Sequence, residues 1–141
     1  MRTAIVIGIP FFLLICMQGG SCNINDPGVP SSSTVASGIW GGNHLVMQVS
    51  SDEITLEFDC AHGRIASPLK LRNGRFEAVG TYVREAMGPT RKGGSSAVDA
   101  KYSGTVQDGK MDITIEFIRP QEKVGRFNLV HDKSGRLWKC Y

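Results

Sequence analysis

From about Gly38 onward this chain alternates apolar and polar residues at nearly every second position, and that rhythm restricts its folding more than anything else in it. Leu45, Met47 and Val49 alternate with Val46, Gln48 and Ser50. Ile54, Leu56, Phe58 and Cys60 alternate with Glu53, Thr55, Glu57 and Asp59. The pattern returns over Val98–Val106, Met111–Phe117 and Arg126–Leu129. Successive side chains of a strand point to opposite faces, so such stretches read as antiparallel strands with one face on a core and the other in water. No segment after Gly38 keeps a helical period for ten residues. Asn73-Gly74 and Asp108-Gly109 fall between the runs, and these dipeptides supply the positive φ that tight hairpins need. The expectation is an all-β domain of seven or eight strands in an antiparallel meander. It closes as a small up-and-down barrel, which removes exposed edges, or packs as a sandwich. The longest interruption, Glu85 to Ala97, is expected to be a loop at one rim.

The first residues follow a different logic. Arg2 is the only charge before Asp26, Ala4 to Met17 is almost wholly apolar, and Gln18-Gly19-Gly20-Ser21 follows. A basic start, a short greasy run and small residues make a secretory signal peptide, expected at 1–21. The apolar run is shorter than the roughly 20 residues a spanning helix needs, so an uncleaved anchor is the alternative. Residues 22–37, rich in Ser, Pro and Gly, read as a flexible linker, and 38–141 as the domain. Removing Arg2 takes the formal charge from +3 to +2, without a basic run, so no nucleic-acid footprint is expected. The expected place is therefore outside the cytoplasm: periplasmic or outer-membrane-anchored, or secreted.

Of the four cysteines, Cys16 leaves with the signal. In an oxidising compartment Cys60 and Cys140 are expected to pair, tying the last strand to an early one; buried free thiols are the alternative. Gly19-Gly20-Ser21-Cys22 resembles the lipobox of bacterial lipoproteins, although that family prefers Leu where Gly19 stands. The resemblance implies lipidation of Cys22 and membrane contact through acyl chains alone. A plainly secreted protein with a spare thiol is the other reading.

Gly38-Ile39-Trp40 resembles the Gly-x-Trp signature of lipocalin-like barrels. The resemblance implies that Trp40 plugs one barrel end under a basic side chain from the last strand, Arg136 or Lys139, and that an apolar cavity takes a small lipophilic ligand. A barrel filled by its own side chains is the alternative. Trp40-Gly41-Gly42-Asn43-His44 and Asp59-Cys60-Ala61-His62-Gly63 resemble strings in small exported bacterial proteins of unassigned function. Candidate ligand-binding residues are Trp40, His44, His62 and Tyr102.

Asp59-Cys60-Ala61-His62 is the densest polar cluster. On one strand, Cys60 and His62 would share a face about 7 Å apart. A Cys/His nucleophile needs a free thiolate, which export disfavours. A zinc or copper site needs His62 together with His44 or His131. The plainer expectation is a disulfide beside a hydrogen-bonded histidine, with His44 brought to Asp59 by pairing across Ser51-Asp52. Glu53, Glu57, Asp59, Asp112 and Glu116 fall at water-facing positions. No catalytic template or cofactor motif is present, so neither catalysis nor a cofactor is expected. The expectation is a monomeric, non-catalytic binding or interaction module whose partner is a small lipophilic ligand or an envelope protein. A structural envelope protein is the alternative, and a histidine-based metal protein or enzyme a third.

Overall fold

The computed structural model describes residues 32–85 and 96–140. The signal segment, Cys22 and most of the Glu85–Ala97 loop lie outside the described residues.

Ten strands form one antiparallel sheet: β1 Ser32–Thr34, β2 Gly38–Gly42, β3 Leu45–Val49, β4 Glu53–Phe58, β5 Ala61–Ala66, β6 Lys70–Arg72, β7 Arg75–Arg84, β8 Val98–Gln107, β9 Lys110–Phe117 and β10 Glu122–His131. Eight of them close a barrel in the order β2-β3-β4-β5-β7-β8-β9-β10, with β10 returning to β2. Apart from β1 and the short excursion β6, each strand pairs with the next in sequence, so the barrel is the expected up-and-down meander. Asn73-Gly74 and Asp108-Gly109 make its tight turns, all four residues at positive φ (51°, 71°, 50° and 69°).

The alternation does what it should: every second residue of β3, β4, β5 and β9 is buried. Trp40, Tyr102, Leu45, Met47, Ile54, Leu56, Met111, Ile113, Ile115 and Leu129 are all less than 2% exposed and converge on one core. No buried polar side-chain atom among the described residues lacks a hydrogen-bond partner. The interior is packed with the barrel's own side chains.

Three features depart from the sequence reading. Ser32–Thr34, assigned to the linker, are β1; they pair with β6, and Val35 behind them is buried in the core. Since β1 lies beside β6 while β2 lies between β3 and β10, the link through Val35–Ser37 must cross one end of the barrel. Cys60 is not on a strand with His62: β4 stops at Phe58, and Asp59-Cys60 turn the chain into β5. The last strand ends at His131, so Cys140 ties down not a strand but a strap, residues 132–140, whose one ladder contact is the bridge Asn43–Arg136. That strap passes over Gly41, where any Cβ would collide with the backbone of Lys133, Ser134 and Gly135.

Candidate binding surfaces

Trp40 closes the crossed end. Its indole N–H donates to the Ala36 carbonyl (3.0 Å), pinning the crossing link, and its ring packs against the His131 imidazole at 4.7 Å. Neither basic residue expected over the indole is there. Arg136 lies over Trp138 (5.9 Å) and Lys139 reaches Glu57 (3.6 Å); the side chain from the last strand is His131. Tyr102 is equally enclosed, its hydroxyl donating to the Thr81 carbonyl at 2.7 Å. Trp40 and Tyr102 are thus core pieces, whereas His44 and His62 lie on the outside, and the four candidates form no common surface.

His62 Nδ1 stands 3.4 Å from a Glu85 carboxylate oxygen. His44, at φ 68° in the β2–β3 turn, holds its Nδ1 2.6 Å from Asp59 Oδ2, the pairing expected across the hairpin. Its ring stacks on Trp138 (4.4 Å, 26° between planes), and the Trp138 backbone N–H donates to Asp59 Oδ1 at 2.8 Å. Partial burial works to raise the Asp59 carboxyl, but hydrogen bonds from His44 and Trp138 and the nearby charges of His44 and Lys139 outweigh it and hold it below the usual range. Cys60 and Cys140 stand beside this cluster at disulfide distance, Cα to Cα 5.4 Å. Among the described residues no three His, Cys, Asp or Glu side chains gather as metal ligands. Of the five carboxylates that the alternation placed in water, four have a Lys or Arg partner, Glu53 with Arg64, Glu57 with Lys139, Asp112 with Arg126 and Glu116 with Lys101, and Asp59 has the His44 imidazole.

Two further surfaces were missed in the sequence. At the end opposite Trp40, Phe58, Tyr82, Phe117 and Phe127 meet in tilted and edge-on contacts of 5.1–5.6 Å, and Arg84 lies over Phe117 at 5.5 Å. A shallow recess of about 390 Å³ opens there. The second is larger, an open basin of about 800 Å³ on the outer wall of β6 to β10. Ser103, Thr105 and Thr114 form its floor, and Lys70, Arg72, Arg75 and Arg126 line its sides together with Glu77 and Asp112. Arg126 holds Asp112 through two bonds, 2.7 and 2.6 Å, and this pairing holds the Asp112 carboxyl below its ordinary range. Lys70, Arg72 and Arg75 have no ion pair or side-chain hydrogen bond among the described residues. A sequence signal existed: three cations in six residues, placed on one face by the alternation around Asn73-Gly74.

The fold and these surfaces define a class: a filled eight-stranded antiparallel barrel, decorated on its outer wall. No protein-family model, curated protein or solved structure matches the chain.

Proposed function

We propose that this chain is an exported, non-catalytic binding module, tethered to a membrane through lipid on Cys22, that meets its partners on the outside of its barrel. One observation carries the choice of surface. The ten largest enclosed side chains occupy the lumen, so a lipophilic guest would have to displace a close-packed core. The pairing distance of Cys60 and Cys140 supports the tether: it gives those two cysteines a use in the fold and leaves Cys22 for another. Glu53, Glu57, Asp112 and Glu116, each held by a Lys or Arg, support the non-catalytic reading, because paired surface charges are ordinary strand decoration.

Mass spectrometry of the native mature form taken from the membrane fraction tests the proposal. A chain beginning at acylated Cys22 is expected, two hydrogens lighter for the Cys60–Cys140 bond. Recovery of the chain still beginning at Met1 in the cytosol sinks it. An environment-sensitive apolar dye is expected to stay dark with the folded protein, and stoichiometric uptake would return the lumen to consideration.

A further inference from the structure

We infer that the hairpin of β6 and β7 is a membrane-facing element, with Lys70, Arg72 and Arg75 engaging the phosphates of anionic lipid headgroups. This rests on the tethered reading and goes beyond it, since acyl chains alone would leave the domain free to present any side to the bilayer.

The first ground is a local cost. Arg72 and Arg75 are direct partners across the Asn73-Gly74 turn. Directly opposed residues hold their Cβ atoms about 5 Å apart, where like charges destabilise a hairpin. Lys70 lies on the same outward face of β6, two residues from Arg72. Among the described residues no carboxylate is ion-paired with any of the three. Two other cations of this wall have carboxylate partners, Arg126 with Asp112 and Lys101 with Glu116, and Glu77, the remaining carboxylate of the basin, is ion-paired with none of the three. Repulsion left standing among three neighbouring cations, beside pairs that are matched, is what an anionic ligand would relieve.

The second ground is the shape and chemistry of the basin. From β7 to β10 is three strand spacings, about 14 Å. That floor presents Ser103, Thr105 and Thr114, hydroxyls that donate to phosphate oxygens. Guanidinium forks match the same oxygens two at a time. No exposed aromatic face lines the basin for a sugar or base to stack on: Phe76, its one ring, belongs to the core.

The third ground is where the chain enters. Ser32 is the Cα partner of Arg72, and Thr34 of Lys70. The first described residues therefore pair with the basic hairpin itself. Ten residues separate Cys22 from Ser32 inclusive of Cys22, a reach of at most about 36 Å even at full stretch. An anchor at Cys22 would thus hold this hairpin within about 36 Å of the bilayer, while the Trp138 end could lie farther off by the length of the barrel. Attraction to an anionic leaflet acts over roughly 8–10 Å, so closeness decides which cations count.

Each Lys or Arg near such a surface strengthens adsorption by about five-fold. The test uses the full chain carrying Cys22→Ser, exported without acyl chains, so that headgroup contact is read apart from anchoring. It is sedimented with vesicles of pure phosphatidylcholine or of phosphatidylcholine with one-third phosphatidylglycerol. Binding to the anionic vesicles only, weakening as salt rises, is expected. The variant K70Q/R72Q/R75Q should lose on the order of a hundred-fold in affinity. A control, R119Q/K123Q/K133Q, removes the same charge elsewhere and should lose little. Near-UV circular dichroism verifies that both variants keep the native packing. Equal losses in the two variants would reduce the effect to net charge and overturn the assignment, as would binding to both vesicle types. Capture by soluble inorganic polyphosphate without vesicle binding would move the site to a free phosphate polymer and likewise overturn it. Failure to find acyl chains on Cys22 would sink the tether alone, since the vesicle result does not depend on it.

Discussion

The indole of Trp40 and the imidazole of His131 meet at 4.7 Å across the β2–β10 seam, where the barrel closes on itself through three residue pairs. This seam has the fewest residue pairs in the barrel apart from the β6 excursion, so the ring contact adds a side-chain tie to the joint, while the Trp40–Ala36 bond fixes the indole to the crossing link. Trp40→Ala should cost about 3–5 kcal/mol in urea unfolding, as burial of an aromatic is lost and a cavity opens. His131→Ala, at a half-buried site, should cost clearly less. Equal stability of wild type and Trp40→Ala would mean that the closure does not depend on this pair.

Gly63 and Tyr102 form a second coupled pair. A Cβ at Gly63 would strike the Tyr102 hydroxyl and come within 2.9 Å of the Thr81 carbonyl. Gly63→Ala should therefore destabilise by several kcal/mol, of the order seen for overpacked cores, about 1–3 kcal/mol or more. Tyr102→Phe alone should cost about 1–3 kcal/mol, because the Thr81 carbonyl loses its donor. In the double variant the losses should fall short of their sum, since removing the hydroxyl makes room for the methyl. Strict additivity in that double-mutant cycle would contradict the contact.

Acid should loosen the barrel through Asp59 and Asp112. Both carboxyls are held below their ordinary value of 3.8 in the fold. The sign is fixed by linkage: a depressed folded value gives stability that is present above the unfolded value and lost as pH falls through the folded one. Unfolding free energy should therefore drop below about pH 4. Asp59→Asn with Asp112→Asn should flatten that acid limb, and its loss near pH 7 should be small because the pairs are solvent-exposed. An acid limb as steep in the double variant as in wild type would assign the effect to other groups.

Breaking the Cys60–Cys140 tie should free the strap. The two residues are 80 apart in sequence, and opening such a loop should cost roughly 4 kcal/mol by the chain-entropy estimate. The loss should be local first: Trp138 is 49% exposed and held by His44, Arg136 and Asp59, so its fluorescence should change before the core melts. Dithiothreitol added to the native protein, followed by emission and then by urea melting, separates the two steps. An unchanged Trp138 signal after complete reduction would show that the strap holds without the bond.

What was legible in the chain tracks what is local. Alternation along β3, β4, β8 and β9 identifies strands because each buries one face, and Asn73-Gly74 and Asp108-Gly109 set turns because two residues suffice. β1 and β6 were missed because three residues are too few to show a period, and what holds β1 is Arg72, Leu71 and Lys70, nearly forty positions away. Cys60 extended the alternation of β4 by chance, which hid the turn at Asp59. The surfaces were least legible. Trp40 and Tyr102 carry the chemistry of binding residues, yet size and apolar area draw them into the core. Trp138 gave no warning in a polar tail, and the seat of His131 on Trp40 depends on the register of β10, which no short window reveals.

The strap and the β1 pairing attach the two ends of the described chain to opposite poles of the barrel. Ser32 sits beside the β6–β7 turn, while Cys140 lies against the β4–β5 turn. A partner seated on the pole crowned by Trp138 and His44 therefore leaves Ser32 and the β6–β7 turn uncovered.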